Sequence, residues 1–111
     1  VGESFHNGKI TKIERKYSIA DGLAGDAPGE KAFEGVMKNV DEMITVSDEE
    51  ISDALVKIMH YTKMFVEPSA AVTLAGVISK KAYLGKRNVC LLSGGNASFE
   101  VLAEILKKSN I

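Results

Sequence analysis

Residues 68–80 constrain the fold of this chain more than any other stretch. After Pro68, the positions Ala70, Ala71, Val72, Leu74, Ala75, Val77 and Ile78 leave almost no polar face before Ser79, Lys80 and Lys81. Proline suits the first helical position, and Glu67 just before it suits the positive end of a helix dipole. The spacing predicts a helix that is apolar all round, and such a helix is covered on all sides. Gly76 and the alanines let neighbouring backbones come close. With 111 residues the chain makes one modest domain at most. Two core strands and about four helices are too few to enclose that helix and also bury both faces of a central strand. The sequence therefore implies a large apolar surface, covered by another copy of the chain or by further polypeptide.

The central strand is Val89, Cys90, Leu91 and Leu92, a short apolar run that reads as buried on both faces. It breaks at Ser93-Gly94-Gly95-Asn96, where paired glycines allow turns and close approaches that a Cβ forbids. A helical pattern begins at Ser98. Ser93 thus stands at the carboxyl end of a buried strand, where open α/β sheets place their ligand crevices. A tight strand-to-helix turn with a capping serine is the other reading of the same residues.

Upstream, residues 1–17 read as irregular, with a turn at His6-Asn7-Gly8-Lys9 and a short, half-exposed strand over 9–13. Residues 18–29 are rich in Gly and Asp and contain Pro28, which is loop chemistry. Ile19, Leu23 and Ala24 make the loop too apolar for a disordered linker, so it packs along a surface or lines a cleft. Asp21 is its acidic candidate, and a turn-forming Asp is the alternative. Residues 30–39 predict a short helix with Phe33, Val36 and Met37 on one face, and 40–46 predict the other core strand. Ser47 and Glu50 then satisfy a capping box. The helix after it puts Ile51, Ala54, Leu55, Ile58, Met59 and Thr62 on one face. The last helix, 98–108, places Phe99, Leu102, Ala103 and Leu106 inward, with Lys107 and Lys108 at its negative end.

Fourteen Lys and Arg stand against 15 Asp and Glu, so no strong field draws nucleic acid or an anionic membrane surface. The single cysteine, Cys90, excludes an internal disulfide and reads as a buried, inert thiol. His6 and His60 are far apart without ligand-spaced partners, so no metal site is expected. No apolar run reaches spanning length and no charged leader precedes one. A soluble, reducing, cytoplasmic setting is the expectation.

Against this background the chain resembles the C-terminal third of pyridoxal-phosphate-dependent threonine/serine dehydratases, the fold-type II group that also contains serine racemase. Ser18-Ile19-Ala20-Asp21-Gly22-Leu23-Ala24 resembles the family's TIADG loop, with Ser18 for the usual Thr. Val46-Ser47-Asp48-Glu49-Glu50-Ile51 resembles its VSEDEI junction. Val66-Glu67-Pro68-Ser69-Ala70-Ala71 resembles EPSGA or EPTAG, and Ser93-Gly94-Gly95-Asn96 matches SGGN in full. Any one motif is weak; all of them in order at similar spacings are specific.

The resemblance implies an α/β fold: a partial three-layer sheet-and-helix segment like the tryptophan synthase β-subunit, with two core strands and about four helices in this chain. Residues 1–111 would be the C-terminal portion of the catalytic region. The implied cofactor is pyridoxal 5′-phosphate. Ser93 would hydrogen-bond its pyridine nitrogen, and Gly94 would keep a Cβ away from the ring. Glu67 would lie near the ring, or would simply be an acid at a helix start. Gly22 and Asp21 would border the cofactor and substrate cleft, and Asn96 would be a turn residue. The implied reaction is dehydration of L-threonine or L-serine to a 2-oxo acid and ammonia. The implied partners are an amino-acid substrate, the rest of the chain's own polypeptide and further copies in a homo-oligomer. The family's cofactor-bearing lysine and glycine-rich phosphate loop have no counterpart in these residues, so the catalytic lysine is expected upstream and this chain alone is expected to be inactive. Two alternatives stand beside this reading: a free-standing, non-catalytic α/β module, and a racemase of the same fold.

Overall fold

Ser47 starts the longest element. Its hydroxyl accepts from the Glu50 amide at 3.1 Å, and the Glu50 carboxylate accepts from the Ser47 amide at 3.1 Å, so two otherwise orphaned donors are satisfied. From that box runs α3 (Asp48–Thr62), in a computed structural model that describes residues 1–14, 17–23 and 25–109. The other helices are α1 (Gly2–Asn7), α2 (Glu30–Asn39), α4 (Pro68–Ile78) and α5 (Phe99–Lys107), with one 3-10 turn at Asp21–Leu23. Arg15 and Lys16, in the stretch predicted as irregular, and Ala24, which ends the loop motif, lie outside the described residues.

The core is the contact between α3 and α4. Ile51, Ala54, Leu55, Val56 and Ile58 of α3 meet Ala70, Ala71 and Ala75 of α4, and Leu102 and Ile105 of α5 close one end. The small side chains of α4 admit the bulkier α3 face, which is why an alanine-rich helix serves as the hub. Ala20 and Val66 complete the cluster, drawing the 18–23 loop onto the helix pair.

Several expectations are corrected. Residues 1–17 are not wholly irregular: α1 forms, and fully buried Ser4 accepts from the Thr11 amide at 2.8 Å. Among the described residues there is no β-strand, so the two core strands over 40–46 and 89–92, and the short one over 9–13, are not formed as strands. A strand exists only through a ladder with a neighbour, and the backbone groups of these segments bond to side chains or loops instead. The Leu91 carbonyl, for instance, accepts from the Thr73 hydroxyl.

Nor is the 89–92 run buried on both faces. Cys90 and Leu92 are half-buried, whereas Val89 is 94% exposed and Leu91 70% exposed. The alternation is that of a strand with one face packed and one bare. Helix α4 is likewise half-covered: Val72, Leu74 and Val77 are intermediate and Ile78 is exposed. In α5 the inward residues are Leu102 and Ile105, while Phe99, Ala103 and Leu106 are exposed. Helical spacing admits either stripe, and packing against α3 selects the second.

The principal extents are 41 × 35 × 19 Å and the radius of gyration is 14.7 Å. A compact domain of this length has a radius of about 13 Å. The chain is a flattened slab that leaves apolar side chains of α4 and of residues 89–92 uncovered.

One electrostatic cluster ties the two core helices together. Lys81, just past α4, places its Nζ 2.7 Å from Glu50 Oε1 and 3.1 Å from the Thr45 carbonyl. The Lys81 ammonium, then the Ser47 amide, push the Glu50 carboxyl down from 4.5 to about 2. A carboxyl depressed on folding stabilises the fold above its unfolded value and loses that contribution as pH falls through the folded one. Acid titration of stability should therefore show a loss between about pH 4.5 and about 2. Lys81→Met should shrink that loss by lowering the neutral-pH plateau towards an acid limit that changes little. Parallel acid limbs in the two proteins would contradict the assignment.

Candidate functional site

The N-terminus of α4 gathers most of the residues singled out in the sequence. Glu67 occupies the N-cap position, with Pro68 at the first helical position as the motif predicts. Its side chain makes no capping hydrogen bond. Instead its carboxylate lies against Gly94. A Cβ built on Gly94 would overlap Glu67 Oε1 and stand 3.0 Å from Glu67 Cδ. Only glycine leaves room for this contact. The backbones are joined as well, the Glu67 amide donating to the Gly94 carbonyl at 3.1 Å.

The 18–23 loop reaches the same corner. The Gly22 amide donates to Ser69 Oγ at 3.0 Å, and a Cβ built on Gly22 would stand 2.8 Å from Ser69 Oγ and 3.9 Å from Glu67 Oε2. Gly22 and Gly94 thus approach the Glu67 side chain from two separate loops. Ser93, next to Gly94, is exposed, and among the described residues its hydroxyl has no hydrogen-bond partner. Asp21 is exposed at the start of the 3-10 turn. A tight turn follows Ser93, closed by the Ala97 amide on the Gly95 carbonyl at 2.9 Å. Asn96 sits at its tip, and the capping role falls to Ser98, whose hydroxyl accepts from the Glu100 amide at 3.2 Å.

Two residues that hold this corner were not singled out from the sequence. Ser69 carries the acceptor for Gly22, and Asp48 holds the entry of the loop through Ser18 and Ile19. The only sequence signal for either was its place inside a motif. Asp48 read simply as an acid in a first helical turn.

The corner therefore offers an exposed neutral hydroxyl, a carboxylate held between two glycines, and backbone brought close on either side. That set suits a polar-edged ligand resting against the exposed Ser93 hydroxyl, with the Glu67 carboxylate packed behind it against Gly94. A pyridine ring meets that description, since the Ser93 hydroxyl, without a partner among the described residues, can donate to a ring nitrogen. The residues fit pyridoxal phosphate.

No helix among the described residues is long and apolar enough to cross a membrane. Residues 1–95 match the profile described as pyridoxal-phosphate dependent enzyme, and the chain belongs to that family. It is 37% identical over 105 residues to the L-threonine ammonia-lyase of Thermotoga maritima, an alignment covering 95% of this chain and 26% of that protein. Among solved structures it is similar to the processed form of threonine deaminase isoform 2 from Solanum lycopersicum, with TM-score 0.84, 27% identity, and coverage of 96% of this chain and 30% of that one. It is also similar to maize serine racemase, with TM-score 0.79, 31% identity, and coverage of 96% and 35%. The chain spans about a quarter to a third of the length of the relatives it matches. These are fold-type II enzymes, and the family's cofactor is pyridoxal phosphate.

Proposed function

We propose that this chain is the C-terminal portion of the catalytic region of an ammonia-lyase that converts L-threonine, or L-serine, to the 2-oxo acid and ammonia. The observation that carries the reading is the corner at the start of α4, where Glu67, Gly94 and Gly22 converge beside Ser93. The ammonia-lyase and threonine deaminase names of similar proteins support the reaction class.

Pyridoxal phosphate supplies, when bound, a ring that withdraws electrons from the substrate's α-carbon. Ser93 offers the ring nitrogen a neutral hydroxyl. A carboxylate in its place would hold that nitrogen protonated and make the ring a stronger electron sink. The neutral donor leaves a weaker one, which suits loss of a β-hydroxyl over prolonged carbanion chemistry. Gly94, lacking a Cβ, leaves room for the Glu67 carboxylate, which, unspent as a helix cap, would stand beside the ring. Asp21 and Gly22 border the substrate side. The lysine that holds the cofactor lies in further polypeptide, which also covers the bare face of α4 and of residues 89–92, so the chain by itself does not turn over. A cytoplasmic, homo-oligomeric enzyme completes the reading.

The experiment is turnover of L-threonine by the full-length protein with Ser93→Ala. Ser93 is exposed and without a partner among the described residues, so the fold should be unchanged. Loss of a buried hydrogen bond to the bound ring should lower kcat/KM by about 10- to 100-fold. Undiminished turnover would remove Ser93 from the site. A racemase of the same fold is the second reading, favoured by the likeness to maize serine racemase. It is distinguished by inversion of the amino acid without release of ammonia.

A further inference from the structure

The Asp21-Gly22 loop is held at both ends by helix starts that are far from it in sequence. At its entry Asp48 Oδ1 accepts from the Ser18 hydroxyl at 2.6 Å, and Asp48 Oδ2 accepts from the Ile19 amide at 3.3 Å. Ser18 Oγ accepts in turn from the Ala20 amide at 3.2 Å, and Ala20 is buried in the core. At its far end Ser69 Oγ accepts from the Gly22 amide at 3.0 Å, 47 positions away in sequence. Asp48 opens α3 and Ser69 is the second residue of α4. These two helices form the core, so both anchors stand on the firmest part of the chain.

Neither anchor is explained by helix formation alone. The N-cap work of α3 is done by Ser47 and Glu50, and an acid in a first turn gains from the dipole without a partner. Asp48 nevertheless spends both oxygens on the loop. Ser69 likewise turns its oxygen to Gly22, within reach of the Glu67 corner.

We propose that Ser69, with Asp48 behind it, is a positioning residue that fixes Asp21 and Gly22 as the substrate-side wall of the cleft. The inference rests on the reading of the site given above and goes beyond it. Ser69 acts through the Gly22 amide and touches neither cofactor nor substrate. A loop anchored at both ends is ordered before the amino acid arrives. Without the Ser69 acceptor the ordering falls on the binding step, which raises KM while leaving the chemical step nearly as fast.

The test compares Ser69→Ala and Ser69→Thr in the cofactor-loaded, full-length protein, reading KM and kcat for L-threonine together with hydrogen exchange at the Gly22 amide. Ser69→Ala should raise KM about five- to tenfold with kcat within about twofold, and Gly22 should exchange about tenfold faster. Ser69→Thr keeps the acceptor oxygen and should restore both readouts. Equal exchange in the wild type and Ser69→Ala would overturn the anchor. Faster exchange with an unchanged KM would overturn its role in substrate binding. A wild-type protein without turnover would instead overturn the reading of the site, and the exchange comparison would then decide the anchor alone.

Discussion

Gly94→Ala should lower the turnover of the full-length enzyme by about 100-fold or more, because a displacement of about 1 Å in a positioned group costs that much. The alanine Cβ would overlap Glu67 Oε1 and crowd its Cδ. The Glu67 backbone is fixed at this point, whereas its carboxylate ends a flexible side chain that makes no capping hydrogen bond. Its amide is bonded to the Gly94 carbonyl, its carbonyl accepts from the Ala70 amide at 3.0 Å, and it precedes a proline that fixes the helix start. The carboxylate must therefore swing out of the corner, or the 93–95 backbone must retreat and carry Ser93 with it. Either movement disturbs the place given to the cofactor ring. The thermal midpoint should change little, since the corner is peripheral to the α3–α4 core. A double variant, Gly94→Ala with Glu67→Ala, removes the overlap. Recovery of turnover would show that crowding of Glu67 was the whole effect and that its carboxylate has no part in the site; no recovery would leave the displaced 93–95 backbone, or the lost carboxylate, as the cause. Full activity in Gly94→Ala alone would contradict the geometry.

Leu55→Ala should have the largest effect on stability, about 2–5 kcal/mol. Leu55 is 0% exposed and stands where α3 meets the alanine-rich face of α4. Alanines opposite cannot extend into the space that a lost isobutyl group leaves, so the cavity persists and its cost adds to the lost burial. Leu55→Met preserves volume and should cost less than about 1.5 kcal/mol. The check is chemical denaturation of the full-length protein and both variants, followed by a probe within α3. Equal shifts for Ala and Met would mean that Leu55 does not face a packed core.

What the sequence reveals and what it withholds follow from the range of the forces involved. The Ser47–Glu50 box, the proline at the start of α4 and most of the inner face of α3 are local patterns that form where the residues predict, although α3 also buries Val56 and leaves Thr62 exposed. The strands over 40–46 and 89–92 are another matter. Their apolar runs are strand-like, but a ladder needs a partner, and none is in register among the described residues. The bare side chains of Val89 and Leu91 are the physical form of that missing neighbour. In α5, the spacing at Phe99, Leu102, Ala103 and Leu106 was compatible with an inner face, yet the helix presents Leu102 and Ile105. Phe99 packs edge-on against Phe65 instead, with ring centroids 5.9 Å apart.

The corner itself was legible only through the resemblance of its motifs. Composition and periodicity place Glu67 before a helix and Ser93 after an apolar run, and nothing in either says that the two loops meet. Ser69 and Asp48 were invisible for the same reason. Their bonds to the 18–23 loop span 29 to 47 positions, and such pairings leave no periodic trace.

The central claim is that these residues form one wall of a pyridoxal-phosphate ammonia-lyase. Its most direct test is to incubate the full-length, cofactor-loaded protein with L-threonine and measure 2-oxobutanoate and ammonia together. The account predicts both products in equal amounts, with strong attenuation in Ser93→Ala. Inversion of the amino acid without ammonia, or no conversion of L-threonine and L-serine, would contradict it.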